Sequence, residues 1–156
     1  MSRAFVSEAA EEARAALLPE RPVSPHPNLV TPRGMALIEA EVAALRSALA
    51  AAAADDAARP RLARDLRYWQ ARRAGARVME PPPAALREVA FGSLVVVRRA
   101  GAVSRFRIVG EDEADPAQSL LSWTSPLARA LMGARVGDLV EVGNGRGAAD
   151  VEAIEA

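Results

Sequence analysis

The chain has 156 residues, with 20 basic and 20 acidic side chains, so its formal net charge at pH 7 is zero. This balance excludes a bulk positive charge of the kind that drives non-specific nucleic-acid binding. The chain has no cysteine, which excludes disulfides and thiolate metal sites. No apolar run approaches the roughly 20 residues of a membrane-spanning helix, and the N-terminus lacks the pattern of a signal peptide, so we expect a cytoplasmic protein.

The first 30 residues are predicted to be a proline-rich tail. Pro19, Pro22, Pro25 and Pro27 lie close together, and a helix cannot continue through them. The Ala- and Glu-rich stretch Ser7–Leu18 favours a short helix, but it offers few apolar side chains to hold that helix in place. We therefore expect residues 1–30 to be partly disordered.

A long helix is predicted to follow the tail. Thr31 suits the N-cap position and Pro32 the first helical position. Apolar residues then recur at alternating spacings of three and four, which is typical of a coiled-coil seam; these are Met35, Ile38, Val42, Leu45, Leu49 and Ala52. Because Ala50–Ala54 favours helix, we expect this helix to extend from Pro32 to Asp55.

A second helix is predicted to begin at Pro60. Its apolar residues have matching spacing, with Arg73 as an interruption; they are Leu62, Leu66, Trp69 and Ala76. Two helices with such seams predict an antiparallel coiled-coil hairpin over residues 31–80. Pro81-Pro82-Pro83 ends the hairpin and opens a stiff linker over residues 81–86.

Beyond the linker, residues 87–156 have a strand-like pattern. The predicted strands are separated by turn residues, including Ala100-Gly101 and Gly143-Asn144-Gly145. They are Leu94–Val97, Val103–Val109, Leu139–Val142 and Val151–Ile154. Antiparallel strands around one short helix predict an α+β domain.

The stretch between residues 105 and 115 combines a strand with an acidic loop. Phe106 and Ile108 alternate with Arg105 and Arg107, which predicts one buried and one solvated face, and Gly110 ends the strand. Four carboxylates follow on a short loop: Glu111, Asp112, Glu113 and Asp115. Such a cluster is a solvated acidic turn unless a cation or a basic partner surface meets it.

A short helix is predicted after this loop. Ser125 and Pro126 form an N-cap and first-turn pair. Leu127 and Leu131 lie on one face of the helix, and Gly133 suits the left-handed position after its C-terminus.

Several of these stretches, in this order, resemble the Gre transcript cleavage factors of bacterial RNA polymerase. The signature pieces are IVGEDEAD at Ile108–Asp115, SPLARALMG at Ser125–Gly133 and VGD at Val136–Asp138. TPRGMALIEAEVAAL at Thr31–Leu45 and DLRYWQARRAGARVME at Asp65–Glu80 are similar to the two strands of the Gre coiled coil. The resemblance implies an N-terminal antiparallel coiled-coil hairpin followed by an FKBP-like C-terminal domain.

The resemblance also implies a transcription elongation factor that binds bacterial RNA polymerase at its secondary channel. The globular domain of such factors grips the channel rim, and the hairpin enters the channel. Carboxylates at the hairpin tip help the polymerase to hold a second Mg²⁺ and to position a water, and the polymerase active site then cleaves backtracked RNA. The resemblance therefore implies a chain that is not itself an enzyme, has no tightly bound cofactor and is a monomer when free.

The resemblance assigns roles to three groups of residues. Asp55 and Asp56 are the candidate catalytic and Mg²⁺-binding carboxylates at the tip. Arginines line the tip and the return helix, and four of them are assigned to the nascent RNA 3′ end: Arg59, Arg61, Arg64 and Arg72. The residues assigned to polymerase binding are Asp112, Glu113, Asp115, Ser125 and Pro126.

Two departures leave other functions open. The family tip pattern DLSENAEY has no Asn or Tyr counterpart here, and the hairpin is shorter, which permits a channel-binding regulator or inhibitor without cleavage activity. An FKBP-like domain also makes peptidyl-prolyl isomerase activity an alternative function. That activity needs an aromatic-lined pocket, whereas the domain offers Phe91, Phe106 and Trp123 and has no tyrosine.

Overall fold

The computed structural model describes residues 18–145 and 147–156. The helix predicted over Ser7–Leu18 lies, except for its last residue, outside them. The described chain has a mixed α+β fold and divides into two compact units. The helical unit contains residues 18–25 and Ile38–Gly75, and the β-rich unit contains His26–Leu37 and Ala76–Ala156.

Helix α1 extends over Pro32–Ala51. The N-cap prediction is confirmed, because the Thr31 hydroxyl oxygen accepts a hydrogen bond from the Gly34 N–H at 2.9 Å. The predicted end at Asp55 is wrong, since α1 ends four residues earlier. The guanidinium of Arg59 donates to the carbonyl oxygens of Leu49 and Ala52, at 3.0 and 2.8 Å, and so satisfies carbonyls that a longer helix would have used.

Helix α2 extends over Arg59–Gly75. Three of its predicted seam residues, Leu62, Leu66 and Trp69, are half-buried. The arginine on the covered side is not Arg73, which is exposed, but Arg72, whose exposure is 2%. Among the described residues, no helix is long and apolar enough to cross a membrane.

A small parallel sheet forms where the end of a disordered tail and the end of the helical arm were predicted. Strand β1 (Asn28–Val30) pairs with strand β2 (Ala76–Val78), in the register Asn28 with Ala76 and Val30 with Val78. Residues 28–30 are therefore not a disordered tail, because Asn28 and Val30 are buried. Residues 76–78 are not part of a helical arm either. The pairing joins segments far apart in sequence, which helical and strand periodicity cannot reveal.

The main sheet has five strands in the order β5-β4-β3-β7-β6. The strands are β3 (Leu94–Arg99), β4 (Ala102–Val109), β5 (Leu120–Ser122), β6 (Leu139–Glu141) and β7 (Ala148–Glu155). An entirely antiparallel sheet was expected, but β5 is parallel to β4. A parallel neighbour needs a crossover connection, and residues 110–119 provide one that includes a 3₁₀ helix at Pro116–Gln118.

The core of the β-rich unit lies between this sheet and helix α3 (Pro126–Leu131). Val95, Val97 and Ile108 from the central strands and Leu131 from α3 are fully buried. Phe106 and Ile108 are buried and Arg105 is exposed, which confirms most of the alternation predicted for β4, whereas Arg107 is half-buried. This packing fixes the ends of β4 and α3, and thereby the acidic loop that follows β4.

Candidate functional site

Glu113 lies inside the acidic loop rather than on its surface. Its exposure is 6%, and its carboxylate accepts a hydrogen bond from the Thr31 hydroxyl. Arg33 Nη1 lies 3.5 Å from Glu113 Oε1. A carboxylate buried and bonded in this way shapes the loop from inside, and its assignment to polymerase binding stays a prediction.

Asp115 and Ser125 hold local structure. The Asp115 carboxylate accepts from the Ala117 N–H at 3.0 Å and from the Gln118 side-chain amide at 2.7 Å, and so caps the 3₁₀ helix. The Ser125 hydroxyl accepts from the Ala128 N–H at 3.2 Å, which confirms it as the N-cap of α3. Pro126 follows as an exposed first-turn residue.

The two remaining acids of the loop, Glu111 and Asp112, are half-buried. Glu111 Oε1 accepts from the Thr124 hydroxyl at 3.4 Å. In the part of the chain that the structure describes, no cluster of three or more His, Cys, Asp or Glu side chains is arranged to hold a metal ion. The loop is therefore not a simple solvated turn, because Glu113 is buried within it. Of the five predicted polymerase contacts, Pro126 is exposed and Asp112 is half-buried.

Asp55 and Asp56 lie in the turn between α1 and α2, and both are exposed. They were expected at the C-terminal end of a helix, which the early end of α1 rules out. Asp56 Oδ1 accepts from the Ala58 N–H at 2.8 Å, and the Asp56 carbonyl accepts from the Arg59 N–H at 3.0 Å. Two exposed carboxylates fit the one or two protein ligands that Mg²⁺ usually takes, although one oxygen of Asp56 is engaged in the turn.

The four arginines assigned to RNA fall into different environments. Arg59 is occupied by the carbonyls at the end of α1, and Arg64 lies 3.0 Å from the carboxylate of Asp65. Arg72 is buried, with an exposure of 2%, so it lies inside the helical unit, and its assignment to RNA stays a prediction. Arg61 is exposed and stays a candidate for a phosphate contact.

Sequence reasoning missed a set of contacts made by residues 18–25 within the helical unit. Glu20 accepts hydrogen bonds from Arg67 Nη2 and Nε at 2.5 and 3.2 Å, and these bonds lower the pKa of Glu20. Arg21 Nη1 lies 3.6 Å from the carboxylate of Asp65. The Arg21 guanidinium also lies 3.8 Å from the ring centroid of Tyr68. The available signal was the Glu-Arg pair between two prolines, which matches the charges on α2.

A cavity of about 440 Å³ lies in the β-rich unit. Phe91 and Leu120 contribute to its apolar lining, and Arg107 and Glu113 are among its charged residues. Phe91 is the aromatic residue of the lining. This composition gives little support to a proline-binding pocket of the isomerase kind.

Comparisons with known proteins agree with the resemblance. A family model described as "Transcription elongation factor, GreA/GreB, C-term" matches residues 84–156. The chain is similar to transcription elongation factor GreB of Xanthomonas axonopodis pv. citri, with 35% identity over 132 residues, 70% of this chain and 79% of that protein. It is also similar to GreB of Neisseria meningitidis serogroup A, with 40% identity over 91 residues.

The Neisseria alignment covers 57% of this chain and 56% of that protein, so the chain spans a little over half of that relative's length. Among solved structures, GreA factor homolog 1 (Gfh1) of Thermus thermophilus is 21% identical, with 84% of this chain and 100% of that chain covered and a TM-score of 0.38. A superposition of this quality supports no functional argument. The sequence similarity is sufficient by itself: the chain belongs to the GreA/GreB family of transcription elongation factors.

Proposed function

We propose that this protein binds bacterial RNA polymerase at the secondary channel, in the cytoplasm, and stimulates polymerase-catalysed cleavage of backtracked RNA. The observation that carries the proposal is the GreB similarity over 70% of the chain, because an alignment of that extent cannot fit within residues 84–156 alone. The similarity therefore includes part of the segment that precedes the family's C-terminal domain. The polymerase performs the chemistry, and this chain assists it.

Within this proposal the two units have different tasks. The helical unit is an antiparallel coiled-coil arm, and the β-rich unit is an FKBP-like domain that docks on the polymerase. Docking uses the surface around Asp112 and Pro126, while Glu113, Asp115 and Ser125 give that surface its shape through the bonds described above. Charge reversal by Asp112→Lys should therefore weaken capture of polymerase, as measured by a pull-down.

At the tip, Asp55 and Asp56 assist the polymerase active site. Their exposed oxygens would supply one or two ligands of a second Mg²⁺, and the polymerase would supply the rest. A paired-metal site stabilises both the attacking and the leaving oxygen of the phosphodiester. Arg61, which is exposed shortly after the turn, would pair with an RNA phosphate.

A transcript-cleavage assay on stalled, backtracked complexes of the cognate polymerase tests the proposal. Wild-type protein should accelerate cleavage, and Asp55→Asn with Asp56→Asn should abolish the acceleration while polymerase binding is retained. Asparagine keeps an oxygen that can accept from the Ala58 N–H, so the turn should survive the change. Glu39→Gln with Glu41→Gln, which removes two exposed acids from α1, is the matched control. Equal cleavage by wild type and the tip variant would contradict the metal role.

One observation favours a second candidate function, a channel-binding regulator or inhibitor without cleavage. The Asp56 carboxylate accepts a hydrogen bond from the Ala58 N–H within the turn, so one of its oxygens is already used. A tip with fewer available carboxylate oxygens is less suited to holding a second Mg²⁺. In that case wild-type protein should slow elongation by the cognate polymerase and produce no cleavage products. An absence of both effects, with intact binding, would contradict both candidates.

A further inference from the structure

Two adjacent residues of the N-terminal segment (residues 18–25) cover two adjacent residues of α2. The carboxylate of Glu20 accepts from both Nη2 and Nε of Arg67, in a fork geometry. The planar guanidinium of Arg21 lies over the ring of Tyr68, 3.8 Å from its centroid. The covered pair is therefore one cation with several donors and one aromatic face.

The two covering groups, the Glu20 carboxylate and the planar Arg21 guanidinium, resemble the phosphate and the base of a nucleotide. An arginine fork that binds a carboxylate binds a phosphate in the same way. An aromatic face that accepts a planar guanidinium also accepts a stacked base, and such stacking tolerates any base. We propose that Arg67 and Tyr68 form a nucleotide subsite for single-stranded RNA, and that Glu20 and Arg21 of the same chain occupy this subsite until RNA displaces them. The identification of the ligand as RNA rests on the proposed function.

The contacts of the cover are suited to displacement. The side chains of Glu20 and Arg67 are 62% and 54% exposed, so water and salt weaken their attraction. Residues 19–24 lie outside helices and strands, so no helix or sheet hydrogen bonds have to break when the covering pair leaves. The hydrogen bonds from Arg67 lower the pKa of Glu20, which is the direction expected for a carboxylate paired with a cation.

The subsite keeps its shape when the cover leaves. Tyr68 packs edge-on against Trp69, with ring centroids 5.2 Å apart, and both residues belong to α2. Asp65, which Arg21 also approaches, keeps a second cation, Arg64, at 3.0 Å. An incoming phosphate at Arg67 therefore does not face an uncompensated carboxylate at Asp65.

Fluorescence anisotropy with the full chain and a short fluorescein-labelled single-stranded RNA, of about 12 nucleotides, tests the cover. Glu20→Gln should tighten RNA binding about threefold or more, because the Arg67 fork becomes available. Its log–log salt dependence should be steeper by about 0.7, the value for one further phosphate on a single strand. Glu39→Gln makes the same charge change on the exposed face of α1 and should change affinity by less than about twofold.

The stacking partner is tested in the Glu20→Gln background. Tyr68→Ala should weaken RNA binding about tenfold, whereas Tyr68→Phe, which keeps the ring, should retain the affinity. Circular dichroism checks that both variants keep their helices. Inorganic polyphosphate has no bases. It should therefore bind more tightly to Glu20→Gln than to the wild type, and adding Tyr68→Ala should leave its affinity unchanged.

Three results would overturn the inference. If Glu20→Gln and Glu39→Gln bound RNA with equal affinities, the N-terminal segment would only stabilise α2 and would not block an RNA site. Equal losses for Tyr68→Phe and Tyr68→Ala would remove the stacking role, and no RNA binding by Glu20→Gln would remove the subsite. None of these measurements uses polymerase, so they separate a failure of this inference from a failure of the cleavage function.

Discussion

The inward-facing carboxylate of Glu113 should be a main determinant of the stability of the β-rich unit. Glu113→Ala removes the acceptor of the Thr31 hydroxyl and the partner of Arg33. It also removes a negative charge beside the first turn of α1, since a Cβ added to Gly34 would lie 2.9 Å from Glu113 Oε2. Negative charge at a helix N-terminus is favourable, so all three losses act in the same direction.

The magnitude follows from burial. A hydrogen bond to a charged acceptor contributes about 1.5–3 kcal/mol to the free energy of unfolding. The Arg33 side chain is 54% exposed, so its attraction is discounted to at most about 1 kcal/mol, and the helix terminus adds up to about 1 kcal/mol. We expect a total loss of about 3 kcal/mol, which lowers the melting temperature of a unit of this size by roughly 12–24 °C.

Thermal unfolding followed by circular dichroism, with urea titration for the free energy, measures this loss. Glu155→Gln is the matched control, because Glu155 also pairs with an arginine, Arg105 at 3.0 Å, but both side chains are exposed. The control should lose less than about 1 kcal/mol. A loss for Glu113→Ala as small as that of the control would refute the structural role of the carboxylate.

Two glycine substitutions give further predictions, both measured by urea unfolding. Gly34→Ala should destabilise by about 1–2 kcal/mol, although alanine normally favours a helix, because its Cβ would lie 2.9 Å from Glu113 Oε2. Gly75→Ala, with no atom within 4 Å of the added Cβ, is the control and should be neutral or slightly stabilising. Gly110→Ala should cost about 3 kcal/mol or more, because its Cβ would lie 2.4 Å from the Leu29 carbonyl oxygen, a backbone atom of β1. A neutral Gly110→Ala variant would show that β1 does not pack against Gly110.

The features that the sequence predicted correctly depend on neighbours within a few residues. Thr31 and Ser125 were identified as N-caps because a cap acts on N–H groups two or three residues ahead. The turn at Ala100 and Gly101 was identified from its residue types, and both residues have positive φ, 47° and 80°, as a tight hairpin turn requires. Membership of the family followed similarly from short motifs in a fixed order.

By itself, then, the sequence determined the α+β class, the caps and the alternation of β4, since each depends on local backbone chemistry or on a short period. Only the tertiary structure decided which acids of the loop face inward and that residues 28–30 pair with 76–78. It also decided that Glu20 and Arg21 lie on α2. These outcomes depend on contacts between segments far apart in the chain, and a carboxylate has the same letter in the sequence whether it meets solvent or a threonine hydroxyl 82 residues away.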